Sequence, residues 1–227
     1  MSVTLSDEQS RMVDAALDGR DVIVDAVVGA GKTTSIQALC TEAGRDQNVL
    51  YLTYSKLLKA DAQQRVQGAR VQNYHGIVYP YLLGAGINVG ISESIAAFNR
   101  NFGNLSATFP RYDMVVVDEY QDITEEHATL LANIKSVNPL MQVVFVGDMA
   151  QKVRSDTNLD VQAFVKGFCD DPALLPFTQS FRMGPEMGAL LSQAWNKPVV
   201  GVNEDQDVRH VEYEEALDII STRRPSD

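Results

Sequence analysis

Two short segments of this 227-residue chain carry the residue types that handle a phosphorylated ligand. In the first, Val22-Ile23-Val24-Asp25-Ala26-Val27-Val28-Gly29-Ala30-Gly31-Lys32-Thr33-Thr34, an apolar run enters a glycine-containing turn and then Lys-Thr at the opening of a helical pattern. Glycines let backbone N–H groups curl around a phosphate without Cβ clashes. The following helix adds free N–H groups and partial positive charge at its N-terminus. Lys32 supplies a point charge for β- and γ-phosphates, and the Thr33 hydroxyl is a magnesium ligand. Gly29, Ala30, Gly31, Lys32, Thr33 and Thr34 are thus the expected phosphate-binding residues. One departure stands out: the usual first glycine of Gly-x-x-x-x-Gly-Lys-Ser/Thr is Ala26. The second segment, Val115-Val116-Val117-Asp118-Glu119, delivers two adjacent carboxylates at the end of an apolar strand. Ligands of open parallel sheets bind at that edge. Asp118 is the expected magnesium partner of Thr33, and Glu119 can orient and deprotonate an attacking water.

A layered α/β scaffold is needed to hold these segments, and the chain has its pattern. Short β-branched runs alternate with amphipathic stretches, as around a parallel sheet. Strands are expected at Val22–Val27, Val49–Thr53, Met114–Val117 and Val143–Val146, each nearly all apolar, as strands covered on both faces should be. Ser6-Asp7-Glu8-Gln9 reads as a capping box opening a helix that Gly19 ends. Further helices are expected at Lys32–Ala43, Lys56–Val66, Thr124–Ser136 and Asn158–Phe168. Residues from Tyr79 to Pro110, with Gly84, Gly86, Gly90 and Gly103, read as a small helical insertion. After Asp170-Asp171-Pro172 the chain restarts with Leu174–Thr178, a helix near Pro185–Trp195 and a last helical pattern over Tyr213–Ile220, read as the start of a second, incomplete domain over 173–227.

Composition narrows the function. With 19 Lys+Arg against 30 Asp+Glu the net charge is −11, so gripping nucleic acid by overall charge is disfavoured, and only a local basic groove would serve. Cys40 and Cys169 are the two cysteines and lack metal-ligand spacing, which argues against a disulfide scaffold or a zinc site. The polar first residues and the lack of a bilayer-length apolar run place the expected protein inside the cell, in cytoplasm or nucleus.

Six ordered motifs carry a family resemblance. Leu5-Ser6-Asp7-Glu8-Gln9 looks like an adenine-recognising Q-motif, and Gly29-Ala30-Gly31-Lys32-Thr33-Thr34 is similar to motif I. Leu52-Thr53-Tyr54-Ser55-Lys56 resembles motif Ia, followed by Asn73-Tyr74-His75-Gly76. Asp118-Glu119-Tyr120-Gln121-Asp122 is like motif II, Val146-Gly147-Asp148-Met149-Ala150-Gln151 like motif III, and Thr178-Gln179-Ser180-Phe181-Arg182 like motif IV. Together, over roughly residues 5–195, they resemble the UvrD/Rep-like superfamily 1 DNA helicases, closest to the F-box DNA helicase type. The resemblance implies a RecA-like P-loop NTPase domain over residues 1–172, with a small inserted subdomain at about 79–110. It also implies ATP and Mg²⁺ as cofactors and single-stranded nucleic acid, DNA more than RNA, as partner.

The same resemblance assigns roles to single residues. Gln9 would meet the adenine edge with an amide that both donates and accepts. Phe181 would stack on adenine, and the forked cation of Arg182 would act as an arginine finger beside the catalytic Lys32 and Glu119. Gln151 would touch the γ-phosphate or the attacking water, its strand lying between the phosphate-loop strand and the Asp118 strand. Thr53, Tyr54, Lys56 and His75 match positions that contact single strands. Ordinary packing also accounts for Tyr74 and His75, and a solvated helix face for Lys56, Lys59 and Arg65.

Two features depart from the family. Lys152-Val153-Arg154-Ser155-Asp156-Thr157 replaces the aromatic segment that usually follows Gln151, and nothing after residue 195 resembles motifs V and VI. Two other readings therefore stay open: a nucleotide-dependent binding module that does not translocate, and an RNA helicase of viral type.

Overall fold

The computed structural model describes residues 4–54, 56–152, 157–205 and 213. The first helix, α1 (Asp7–Leu17), opens as expected: the Ser6 hydroxyl accepts from the Gln9 N–H at 3.3 Å, and the Gln9 side chain accepts from the Ser6 N–H at 2.9 Å. Strand β1 (Val22–Ala26) is followed by α2 (Lys32–Ala43), β2 (Val49–Thr53), α3 (Lys56–Arg65), β3 (Ala69–Asn73), α4 (Tyr74–Gly84) and α5 (Ser94–Leu105). Then come β4 (Met114–Asp118), α6 (Glu125–Val137), β5 (Gln142–Gly147), α7 (Val161–Phe168) and β6 (Ala173–Phe177). A short parallel pair, β7 (Gln179–Ser180) and β8 (Val200–Gly201), flanks α8 (Pro185–Trp195).

Six strands pair in parallel in the order β3-β2-β4-β5-β1-β6. Successive side chains of a strand face opposite sides, and here both sides are covered. Ile23, Leu50, Leu52, Val115, Val117, Val143 and Phe145 pack under α4, α5, α6 and α7 through Ile77, Phe98, Leu131 and Val165. Val22, Val24, Val49, Tyr51, Val116, Val144 and Val146 pack under α1 and α2 through Met12, Ala16, Ile36 and Leu39. Burial on both faces is why β1, β2, β4 and β5 are nearly all apolar. Because every strand runs the same way, Ala26, Asp118 and Gly147 all end at one edge, with β5 between β4 and β1 as expected. The fold is RecA-like, a parallel sheet flanked by helices.

Several expectations are corrected. Residues 79–110, expected as a small insertion on the main domain, pack onto it, for Leu82, Ile95 and Phe98 share one apolar cluster with strand residues of the sheet. The expected boundary between 172 and 173 runs through the sheet, since β6 pairs with β1 from Val22↔Ala173 to Ala26↔Phe177. The strand β3 was not expected at all, because on this edge strand only Val71 is buried and the apolar signal is weak. The helix expected from Asn158 begins at Val161, where the Asp160 carboxylate caps the Ala163 N–H at 3.0 Å. The helical pattern expected over Tyr213–Ile220 lies outside the described residues except for Tyr213 itself. Among the described residues no helix is long and apolar enough to cross a membrane.

Candidate functional site

The turn after β1 is shaped by two left-handed glycines. Gly29 has φ 73° and Gly31 φ 76°, conformations that L side chains rarely adopt. Space is closed as well: a Cβ on Gly31 would meet Gln9 Nε2 at 2.3 Å, and one on Gly29 would meet Arg182 Cβ at 2.6 Å. Ala26, at the place of the usual first glycine, ends β1 in extended pairing with Phe177, so an alanine fits there without strain. Gly31 is the N-cap of α2, which puts Lys32, Thr33 and Thr34 in the first turn, where backbone N–H groups lack intrahelical partners.

Across from this turn stands the acidic pair. Asp118 is buried at the end of β4; its Oδ2 accepts from the Tyr51 hydroxyl at 2.7 Å and its Oδ1 from the Glu119 N–H at 3.0 Å. Burial first, and the neighbouring Glu119 charge second, push its carboxyl up to about 6, against the opposing pull of Tyr51 and Lys32. The same burial and carboxylate drive the Tyr51 phenol upward, so it stays a donor. Glu119 adopts a left-handed backbone, φ 52° and ψ 47°, which turns its side chain away from the strand. A non-glycine residue held there costs on the order of 1 kcal/mol, and such strain clusters at functional sites. Lys32 Nζ lies 3.4 Å from Glu119 Oε2, which also accepts from Gln121 Nε2 at 2.8 Å.

Two more elements close the space. A turn over Met149–Gln151 follows β5 and brings Gln151 forward, its Nε2 donating to Asp148 Oδ2 at 2.9 Å. After β6 the chain runs beside the turn: Val27 N–H donates to the Phe177 carbonyl, the Ser180 hydroxyl to the Val28 carbonyl at 2.8 Å, and Phe181 N–H to the Gly29 carbonyl at 2.9 Å. The result is one cavity of about 430 Å³ lined by Val28 to Thr34, Glu119, Gln151, Phe181 and Arg182. Phe181 is 45% exposed, a large apolar ring left open toward it.

The sequence signature agrees with this geometry: residues 9–156 match the model of the AAA domain family. The chain belongs to that family. Its fold is similar to that of solved Pif1 helicases. The Candida albicans Pif1 helicase superposes with a TM-score of 0.61 at 16% identity, covering 99% of this chain and 48% of that one. A Bacteroides Pif1 bound to ssDNA gives 0.55 at 16% identity, covering 100% and 52%. A Bacteroides Pif1 in complex with ADP-AlF3 and ssDNA gives 0.56 at 16% identity, covering 86% and 47%. The chain thus spans about half the length of these helicases. No curated protein matches it significantly in sequence.

Within the AAA domain, Gln9 and Asp118 sit apart from the other expected nucleotide residues. Gln9 is buried, and its amide is engaged twice, donating to the Ala30 carbonyl at 2.9 Å as well as completing the helix cap. It braces the turn from behind and does not line the cavity, so the structure does not place it at an adenine edge. Asp118 is buried and does not line the cavity, whereas its neighbour Glu119 does. Among the described residues no group of three or more His, Cys, Asp or Glu side chains could hold a metal ion. A hydroxyl and one carboxylate, Thr33 and Asp118, suit Mg²⁺, which is bound by few protein oxygens together with water and phosphate.

The expected nucleic-acid residues divide. Tyr54 and His75 line a second cavity, of about 490 Å³, with Ser92, Ile95, Thr124, Glu125, Glu126 and His127. The His75 Nδ1 lies 3.1 Å from the Ser94 hydroxyl. Thr53 is fully buried at the end of β2, and Lys56, which opens α3, is not among the residues lining that cavity. Tyr74 packs inside, its ring 4.1 Å from that of His127. Sequence reasoning gave no role to Tyr51, Gln121, Asp148 or Lys197. Gln121 and Asp148 stand inside the quoted segments, and Tyr51 is the one polar-tipped ring in an apolar strand, but Lys197 carries no sequence signal.

Proposed function

We propose that the chain is the first motor lobe of an ATP-dependent DNA helicase or translocase of superfamily 1, with the motif IV segment favouring the UvrD-like, F-box type. The observation that carries this reading is that a single cavity gathers Lys32, Thr33, Glu119, Gln151, Phe181 and Arg182 from four separate stretches of chain. Lys32 binds the β- and γ-phosphates, the N–H groups at the start of α2 cradle them, and Phe181 stacks on the base. Thr33 and Asp118 would hold Mg²⁺, whose charge offsets that of the phosphates. Glu119 accepts the proton of the attacking water at a carboxylate oxygen. Before ATP binds, that carboxylate is paired with Lys32; drawing Lys32 onto the phosphates frees it. Arg182 and Gln151 meet the terminal phosphoryl, and the charge building there is what Arg182 neutralises.

Glu119→Gln decides the assignment. It keeps the shape and the Gln121 contact, so a fluorescent ATP analogue still binds in the presence of Mg²⁺ while hydrolysis falls by about 10²–10⁴-fold. Normal turnover by Glu119→Gln would refute the base assignment, and wild-type protein that takes up no nucleotide would refute the whole reading. One observation favours a second reading, a nucleotide-dependent binding module: Glu125 and Glu126 face the same cavity as Tyr54 and His75, and two carboxylates repel a phosphate backbone. A single-strand-stimulated ATPase assay at low salt separates the two readings.

A further inference from the structure

Lys197, in the loop after α8, reaches back across the sheet edge. Its Nζ lies 2.7 Å from Asp25 Oδ1, 2.8 Å from the Ala26 carbonyl and 3.1 Å from Asp148 Oδ1, which employs all three protons of the ammonium. Asp25 and Asp148 end neighbouring strands, since β1 and β5 are in register at Asp25↔Gly147. The Asp25 side chain is 46% exposed, whereas that of Asp148 is wholly buried, so Lys197 is the counter-charge that a fully desolvated carboxylate requires. The position of Lys197 is itself fixed: its N–H donates to the Ser192 carbonyl, and its own carbonyl accepts from the Ser192 hydroxyl at 2.9 Å.

Asp148 in turn holds the Gln151 side of the cavity. Its Oδ2 accepts from Gln151 Nε2 at 2.9 Å and its Oδ1 from the Ala150 N–H at 3.0 Å. Its own N–H donates to Gln121 Oε1 at 3.0 Å, and Gln121 holds Glu119. On the other side, the strand that follows Lys197 is bonded to the segment bearing Phe181 and Arg182, through Val200 N–H to the Thr178 carbonyl and Val202 N–H to the Ser180 carbonyl. The ammonium is therefore the junction between the Phe181–Arg182 segment and the Gln151 side of the cavity.

We propose that Lys197 is a positioning residue: it fixes Asp148, and through Asp148 it sets Gln151 against the terminal phosphate while tying both to the chain that carries Arg182. This rests on the nucleotide reading of the cavity. It makes the preference for a triphosphate over a diphosphate depend on a lysine that touches no ligand. The test is equilibrium titration of the full chain with fluorescent ATPγS and fluorescent ADP, each with Mg²⁺, for wild type, Lys197→Met, Gln151→Ala and the double variant. Lys197→Met should cut the ATPγS-over-ADP preference by about tenfold, leave ADP affinity within about twofold, and add nothing further in the Gln151→Ala background, because both changes remove one arrangement. Additive losses, equal weakening of both nucleotides, or an unchanged preference would each overturn the proposal. Equal weakening would place the effect at the Ala26 carbonyl and the phosphate turn. Should Lys197→Met not fold, Lys197→Met with Asp25→Asn removes one cation and one anion together, and the same loss is expected of it. Wild type that binds neither nucleotide ends the nucleotide reading and this inference with it; wild type with a preference that Lys197→Met retains ends this inference alone.

Discussion

Asp118→Asn should make the nucleotide-free protein more stable, although it removes a residue proposed for metal binding. The Asp118 carboxyl is pushed up from 3.8 to about 6, chiefly by burial. At about 1.4 kcal/mol for each tenfold change in proton affinity, ionising it inside the fold costs roughly 3 kcal/mol more than in the unfolded chain. A raised carboxyl binds its proton more tightly folded than unfolded. Its contribution to stability is therefore present below about pH 4 and is lost as pH rises through about 6. Asparagine keeps the size and removes the charge. It accepts through one oxygen where the carboxylate uses two, for Tyr51 and for the Glu119 N–H, and the lost bond offsets about 1 kcal/mol. The net gain is roughly 2 kcal/mol, which for a chain of this size raises Tm by about 4–8 °C. Calorimetry at pH 8 with a chelator and without nucleotide measures it, and the gap between variant and wild type should shrink between pH 6 and pH 4. Adding Mg²⁺ and nucleotide should reverse the order, since ligand at about a hundred times its Kd stabilises wild type by about 2.7 kcal/mol and the variant by less. A variant that melts at or below wild type at pH 8, or a gap indifferent to pH, would refute the claim that the buried charge is held at a cost until a cation arrives.

Lys32→Ala should abolish Mg²⁺-dependent uptake of a fluorescent ATP analogue while leaving the fold intact, as near-ultraviolet circular dichroism would show. Phe181→Ala should weaken ATP and ADP alike by about 1–2 kcal/mol, because stacking does not sense the γ-phosphate, whereas Arg182→Ala should depress ATP turnover and spare ADP binding; the pair of titrations separates the two roles. Gly31→Ala should lower Tm by about 6–12 °C, from a left-handed alanine and a displaced Gln9 amide together worth about 3 kcal/mol. Gly19→Ala is its control: the same left-handed backbone, φ 83°, but nothing within 4 Å of the added Cβ, hence a loss of about 1–2 kcal/mol. Equal losses at the two glycines would show that the packing of Gln9 on the turn contributes nothing.

What could be read before folding, and what could not, follows from how far each signal travels along the chain. The strands β1, β2, β4 and β5 announce themselves because both faces are covered, so every residue must be apolar. The edge strands do not: β3 buries only Val71, and on β6 Leu174 and Pro176 face outward, which made a sheet strand look like the opening of a new domain. The helix α4 was hidden by Pro80 and by the glycines around it. At the site, the residues that line the cavity lie in contiguous segments whose order is informative. The groups that hold those residues in place come from positions distant in sequence. Tyr51 reaches Asp118 across 67 residues, and Lys197 reaches Asp25 across 172. Neither tie leaves a local pattern, since a tyrosine in a strand and a lysine in a loop are unremarkable alone.

The divided nucleic-acid group shows the same limit in reverse. Thr53 and Tyr54 are neighbours in one motif-like segment, yet at the end of β2 Thr53 is buried completely while Tyr54 opens onto the second cavity. Adjacent residues of an extended chain face opposite ways, so a motif read as one contact surface holds at most every other residue of it. If single strands lie along this edge, Tyr54→Ala should raise the single-strand concentration needed for half-maximal ATPase stimulation, and Thr53→Val, which keeps shape inside the core, should leave that concentration within about twofold once its stability loss is allowed for. The reverse ranking would mean that Thr53 acts through the sheet edge it supports, and that the cavity holding Tyr54, His75 and two glutamates is not where the strand runs.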